Sequence, residues 1–288
     1  MNGKNILITG ANGMLGSQLV QEFQNAAGYS SQDLNITNIT QVQKIINKVN
    51  PDIIIHTAAF TDVETCEIEA HKAFEVNTIG TQNLVNCCID KDVLFVFISS
   101  SGVYGSHKTN GYTEFDKVDP PTIHHKSKYE AEKIVQRYLI KYLILRTGWM
   151  FGGDTSHKKN FVYKRYIEGK NNNLIYSDDT QIGNPTYVVD LVKQVKILIN
   201  ANQFGIFNCV NKAEYISRYH YVKKIIELFE LDCKVQRAPK NMFKRVAPVS
   251  NNESALNYKL ELLKINCMRN WDEALSEYIN ILKNSLYN

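Results

Sequence analysis

The chain has 288 residues and a formal net charge of +4; 44% of the residues are hydrophobic and 22% charged, an ordinary balance with room for a sizeable core. The cationic residues are scattered, and the densest cluster (Lys158, Lys159, Lys164, Arg165) reads first as a solvated face and second as a phosphate-facing patch, so nucleic acid is excluded as a partner. The clearest apolar run, Leu94 to Ile98, is too short to cross a bilayer, Met1 opens no signal peptide, and the cysteines (Cys66, Cys87, Cys88, Cys209, Cys233, Cys267) lack metal spacing; no membrane, no metal and a reducing cytoplasm are expected.

The first element is a strand that begins at Ile6 and runs into Gly10, Asn12, Gly13, Met14, Leu15 and Gly16. A helix follows, with Leu15, Leu19, Val20 and Phe23 on its apolar face. Glycine at the strand end permits a tight turn, a second glycine clears the approach to a phosphate, and a third lets helix and strand pack closely. The helix N-terminus then offers free N–H groups to an anion, so a dinucleotide is the expected ligand.

A second strand has to lie within residues 26–34 and must be short. No acidic residue stands plainly at its end for a ribose 2′-hydroxyl and no arginine for a 2′-phosphate; Ser30 and Ser31 are hydroxyl candidates, and the choice between NAD and NADP stays open. Ile53 to His56 predicts a third strand, Gly80 to Lys91 a helix on which Cys87 and Cys88 are packing residues, and Leu94 to Ile98 a strand buried on both faces. A helix over His125 to Leu139 and a strand over Tyr142 to Arg146 complete the alternation. This pattern predicts an α/β fold, a Rossmann-like doubly wound parallel sheet over residues 1–150. Beyond it, helices at Tyr187 to Ile199, Arg218 to Phe229 and Trp271 to Leu282 suggest a smaller C-terminal substrate-binding lobe (151–185 and 201–288), with a helix at about 186–200 returning to the first domain.

The strand ending at Ile98 delivers Ser99-Ser100-Ser101-Gly102-Val103-Tyr104 to the crevice where open α/β sheets bind ligands. A hydroxyl there can stabilise charge developing on a carbonyl oxygen. Downstream, His124 and Lys128 are one helical turn apart on one face.

Taken together, the motifs resemble those of extended short-chain dehydrogenase/reductases, and more narrowly the dTDP-4-dehydrorhamnose reductase family of sugar-nucleotide reductases. The glycine loop Gly10 to Gly16, Asp33 to Asn38 (with Asn35 and Asn38 where the family carries Asp), His56 to Glu64, Val76 to Gly80, Arg146 to Gly152, Asn160-Phe161, Gly183 to Thr186, Asp190-Leu191 and Trp271 to Leu275 match in order along nearly the whole chain. The resemblance implies a cofactor site that includes Ala58, Ala59 and Lys128, and a substrate site at Ser100, Ser101, Trp149 and Asn160. It implies a nucleotide-sugar substrate, NADP or NAD as cofactor, and a homodimer. The family's catalytic Ser or Thr maps to Ser100 and its Lys to Lys128, whereas its Tyr maps to His124. Tyr129 and Lys133 repeat the Tyr-x-x-x-Lys spacing, but Ser127-Lys128 and Glu132 set the register against them.

A tyrosine gives up its proton more readily when a cation lies nearby; the same Lys128 ammonium disfavours a charged imidazole, so the His124 pKa should fall below about 6.5. Three outcomes follow: His124 donates the proton, another group such as Tyr104 or Ser100 does, or the chain binds without turnover. The readings to be separated are therefore a 4-keto sugar-nucleotide reductase, a weak or inactive binding or regulatory subunit, and an epimerase with tightly held NAD. Ser101-Gly102, where related dehydratases carry an acidic pair, speaks against dehydration.

Overall fold

The computed structural model describes residues 3–287. In chain order, β1 (Ile6–Thr9), α1 (Met14–Glu22), β2 (Ala27–Tyr29), α2 (Ile39–Val49) and β3 (Ile53–His56) come first. A bent helical run follows: α3 (Val63–Ile68), α4 (Ala70–Phe74), a π-helical turn over Glu75–Ile79, and α5 (Gly80–Asn86). Then come β4 (Leu94–Ser100), a 3₁₀ turn at Ser101–Tyr104, α6 (Ile123–Tyr138), β5 (Tyr142–Thr147), β6 (Met150–Phe151), α7 (Phe161–Asn171), β7 (Leu174–Ser177) and β8 (Thr186–Tyr187). The last elements are α8 (Val188–Asn200), β9 (Gly205–Asn208), α9 (Arg218–Leu228), β10 (Lys234–Arg237), α10 (Tyr258–Leu262) and α11 (Trp271–Tyr287).

Six strands form one parallel sheet in the order β2-β1-β3-β4-β5-β9. Successive side chains point to opposite faces, so each strand feeds two cores. Ile6, Ile8, Ile53, Ile55 and Val96 pack with Leu19 of α1, Leu191 and Val195 of α8, and Leu275 of α11. Leu7, Ile54, Phe95, Phe97 and Ile144 pack on the other side with Val42 of α2, Leu84 of α5 and Val135 of α6. The strand order reverses between β1 and β3, and that switch point opens a crevice at the carboxyl ends of the strands.

Local chemistry sets the element ends. Asn38, Asp62, Thr122, Asn160 and Ser217 each accept a backbone N–H through the side chain at a helix start. The Thr122 cap starts α6 two residues before the position predicted from periodicity, which puts His124 in its first turn. The helix expected to reach Lys91 stops at Asn86, and Asp90 takes a left-handed conformation with φ 62°. Helices α2, α3, α4, α7 and α10 lie where the sequence pattern predicts none. Sequence division put residues 201–288 in the second lobe, yet β9 is the sixth strand of the main sheet, paired with β5.

Candidate active site

The glycine loop is shaped by backbone proximity. Gly10 has φ +72°, and a Cβ there would lie 2.7 Å from Ala58 N. At Gly16 a Cβ would lie 2.1 Å from the Gly10 carbonyl oxygen, so any side chain would push α1 off β1. Gly13 caps α1 without a side chain, leaving the N–H groups of the first turn open to an anion. A cavity of about 740 Å³ lies in front of this loop. Gly10, Asn12, Gly13, Met14, Leu15 and Gly16 line it, with Ala58 and Ala59 after β3. The strained glycine turn, the uncapped helix end and the cavity volume fit a dinucleotide.

At the β2 end, Ser30 and Ser31 line the cavity together with Asn35 and Thr37. An acidic residue does stand beside this strand: the Asp33 carboxylate accepts from the Ser30 hydroxyl (2.5 Å) and backbone N–H (3.2 Å), which lowers its pKa. It serves the turn and is not among the residues lining the cavity. Across the cleft, Lys158 and Lys159 join the lining, and Lys159 Nζ donates to Thr61 Oγ1 at 2.5 Å. The basic cluster thus faces the ligand cavity with two of its members, which the solvated-face reading missed; the approach of this loop to the segment after β3 is a long-range contact that charge counting does not reveal.

Ser100 ends β4, and its Oγ accepts the Gly102 N–H at 3.2 Å, so its hydroxyl proton remains free for a ligand. Ser101 is buried beside Gly148, where an added Cβ would come within 2.5 Å of its Oγ, and that hydroxyl has no partner among the described residues. On α6, His124 and Lys128 are both buried, at 7% and 4% exposure. Lys128 Nζ lies 4.0 Å from the Phe97 ring centroid, and no described residue accepts a hydrogen bond from it. Burial drives its pKa down to about 7, only partly offset by Glu132.

His124 Nδ1 lies 3.1 Å from the Phe60 carbonyl oxygen and 4.0 Å from Cys66 Sγ. Burial, then the neighbouring His125 and Lys128, hold its pKa well below the ordinary value. The expected direction of the shift therefore holds, with desolvation as the leading cause and the Lys128 charge third. His125 bonds Thr122 Oγ1 (3.0 Å) and covers Gly102, and His56 lies between Thr9 and Thr81 hydroxyls (2.7 and 3.1 Å); burial lowers both of their pKa values as well.

These three imidazoles make the fold acid-sensitive. The unfolded chain binds protons at them below about pH 6.5, whereas the folded rings stay neutral, so stability is lost as pH falls through that region. Chemical denaturation should show a loss of about 2 kcal/mol between pH 7 and pH 6 for rings of ordinary unfolded pKa near 6.5. Equal stability at the two pH values would mean that the folded rings take up protons freely.

Two expected roles change. Tyr104 cannot supply a proton to a ligand: it is fully buried, stacked on Tyr112 at 4.9 Å, donates to Asn208 Oδ1 at 2.8 Å, and burial raises its pKa to about 12. Asn160 is fully buried, and its amide is committed to Tyr163 N (3.1 Å), the Asp154 carbonyl (3.0 Å) and Tyr278 Oη (2.6 Å); it anchors the loop that carries Lys158 and Lys159. Trp149, with φ +40°, donates its indole N–H to Glu253 (2.9 Å) while the Arg218 guanidinium lies over the ring, 3.6 Å from its centroid. Tyr129 packs with Val103, Tyr104 and Tyr112 under the Lys133 ammonium, apart from the cavity lining. Among the described residues no cluster of His, Cys, Asp or Glu could hold a metal, and no helix is long and apolar enough to cross a membrane.

A parallel sheet with a glycine-loop cavity at its switch point defines a dinucleotide-binding α/β protein of the dehydrogenase/reductase kind; Ser100 at the end of β4 and His124 and Lys128 on α6 stand outside the residues that line the cavity, which reaches β4 at Ile98. The chain belongs to the RmlD substrate binding domain family, whose model matches residues 4–284. It is 31% identical to the spore coat polysaccharide biosynthesis protein SpsK of Bacillus subtilis, over 95% of this chain and 96% of that one. A dTDP-4-dehydrorhamnose reductase from Clostridium acetobutylicum superposes with a TM-score of 0.92 at 34% identity, covering 97% of this chain and 99% of its own. The Bacillus anthracis dTDP-4-dehydrorhamnose reductase, solved in complex with NADP, gives 0.91 at 32% identity over 96% and 98%. A Thermus thermophilus UDP-glucose 4-epimerase, at 19% identity, shares the fold alone.

Proposed function

We propose that the chain reduces the 4-keto group of a deoxysugar nucleotide. Two observations carry this reading: a dinucleotide-shaped cavity lined by the glycine loop and reaching Ile98 of β4, and, behind that lining, a buried ammonium, that of Lys128, which no described residue binds. A buried cation without a partner costs stability unless a ligand meets it. A reduced nicotinamide dinucleotide supplies the hydride when bound. Gly10 to Gly16 and the first turn of α1 hold its diphosphate, and Lys128 binds its nicotinamide ribose. Asp33 is spent on the Ser30 turn and does not line the cavity, so no carboxylate opposes a 2′-phosphate among the hydroxyls and amides of Ser30, Ser31, Asn35 and Thr37; this favours NADP over NAD. Ser100 donates its free proton to the keto oxygen and stabilises the charge that grows there.

The acid has to be His124 in its charged form or solvent, because Tyr104 is sealed in the core. That a neutral imidazole stands at the proton-donor position favours, as a second reading, a binding subunit of the same fold without turnover. Stopped-flow measurement of NADPH consumption with a dTDP-4-keto-6-deoxy sugar separates the two. Substrate-dependent consumption, lost in Ser100→Ala, is expected. Binding of both ligands without consumption from pH 5 to 9 would sink the reductase reading, and release of tightly held NAD on denaturation would favour an epimerase.

A further inference from the structure

His124 belongs to a closed ring of hydrogen bonds. Its Nδ1 meets the Phe60 carbonyl at 3.1 Å. A carbonyl only accepts, so Nδ1 carries the hydrogen. The Phe60 peptide is gripped from the other side by Asn77: its Oδ1 accepts the Phe60 N–H at 2.7 Å and its Nδ2 donates to the Phe60 carbonyl at 3.0 Å. The same Nδ2 donates to Ser127 Oγ at 2.9 Å, and Ser127 Oγ donates to the His124 carbonyl at 2.8 Å. Asn77 and Ser127 are buried, at 1% and 0% exposure. Asn77 sits in the π-helical turn between α4 and α5, and such turns recur at functional sites.

We propose that this ring, with Asn77 as its positioning residue, locks His124 in the Nδ1–H form, so that the free nitrogen Nε2 meets the sugar as a hydrogen-bond and proton acceptor. The inference rests on the sugar-nucleotide reading for the identity of the ligand, but not for the state of the imidazole. The surroundings keep the ring neutral: burial first, then His125 and Lys128 on α6 and Lys159 from the loop before α7, while the Cys66 thiol of α3, which burial pushes up to about 11, brings no charge. Glu67 of α3 is spent on the Ile123 N–H at 2.7 Å.

The consequence is a direction set by pH. With a neutral ring, a sugar hydroxyl gives its proton to Nε2 as its carbon gives a hydride to an oxidised nicotinamide dinucleotide, leaving a ketone and an imidazolium. Keto reduction runs the same bonds backwards and needs the imidazolium, so its rate draws on a protonated fraction that shrinks about tenfold per pH unit above the imidazole pKa. At neutral pH the ring thus stands ready as the base for hydroxyl oxidation, and the reduction rate gains as pH falls.

Nitrogen-15 NMR of histidine-labelled protein without ligands tests the ring directly, with His124→Gln assigning the signal. At pH 7 the His124 pattern should be that of a neutral imidazole protonated at Nδ1; an Nε2–H pattern or an imidazolium would overturn the proposal. Asn77→Asp, which keeps the acceptor but loses the donor, should mix the two neutral forms, with Ser127→Ala as a milder second variant; an unchanged pattern in both would remove Asn77 and Ser127 from the role. In the kinetic arm, reduction measured under saturating substrate should rise about tenfold from pH 8 to pH 7 while oxidation stays level, and a flat reduction profile would overturn His124 as the proton carrier. No turnover in either direction, with the NMR pattern as expected, would count against the reductase reading alone.

Discussion

Replacing Lys128 with methionine should make the ligand-free protein more stable at pH 7 while turnover falls by a factor of about 100 or more. The two effects have one origin. The wild-type ammonium is buried at 4% exposure, with an aromatic ring 4.0 Å away and no acceptor among the described residues. Its pKa is driven down to about 7, mainly by desolvation. The unfolded chain holds that proton up to about pH 10.4, so the folded state is penalised between the two values, and the penalty is largest at and below pH 7. Methionine fills similar space without a charge, and the gain should be about 3 kcal/mol. A ligand that brings ribose hydroxyls satisfies the ammonium, and two charge-assisted hydrogen bonds lost in the variant account for the fall in turnover. Denaturation at pH 7 and pH 10 supplies the control: the advantage of Lys128→Met should shrink as pH rises, because the wild-type amine then folds neutral from a chain that is losing its proton too. An advantage of equal size at both values would mean that the ammonium is hydrated or paired where it stands.

The same residue shows what was legible in the chain and what was not. The register of Lys128, Ser100 and the glycine loop is local: a strand, a turn of helix and a fixed spacing place them, and the parallel sheet brings Ser100 and the glycine loop to its carboxyl ends. The short β2 was equally readable, because only Ala27 to Tyr29 can pair before the Ser30–Asp33 turn closes. Local sequence does not carry the partners that lie far along the chain. Tyr104 reads as an available phenol until Asn208, more than a hundred residues on, takes its proton in the core. Asn160 reads as a ligand contact until Tyr278 of α11 and the Asp154 carbonyl take its amide. Lys159 reads as a surface charge until Thr61 meets it across the cleft. The His124 ring was correctly expected to be neutral, but the dominant reason is its burial against Phe60 and Cys66, which no helical spacing reveals. The motif Val76 to Gly80 carried the missing signal: a buried asparagine amide inside a helix must find partners, and those partners prove to be the Phe60 peptide and Ser127.

Glu132→Ala should destabilise the fold by about 3 to 5 kcal/mol, the usual cost of stripping one partner from a buried ion pair. Arg146, at the end of β5, is 2% exposed and meets Glu132 of α6 at two points, Nη2 to Oε2 at 2.6 Å and Nε to Oε1 at 3.1 Å. Ser99 Oγ donates to the same carboxylate, and the guanidinium lies over the Tyr104 ring at 4.8 Å. The pair therefore bolts α6, which carries His124 and Lys128, to β4 and β5. Arginine cannot escape by losing its proton, since the neighbouring carboxylate raises an already high pKa, so removal of Glu132 leaves a full charge and the Ser99 hydroxyl without partners. A double change, Glu132→Leu with Arg146→Met, removes both charges, and it should recover most of the loss if the cost is the orphaned cation and not the missing contacts of the glutamate stem. Urea denaturation of the single and double variants measures the difference. A double variant as unstable as Glu132→Ala would place the cost in packing between α6 and the sheet. The catalytic readout moves with the charge: Glu132 is the acid that holds the Lys128 pKa up, so the single variant should push that ammonium lower still and weaken dinucleotide binding at pH 8 more than at pH 6.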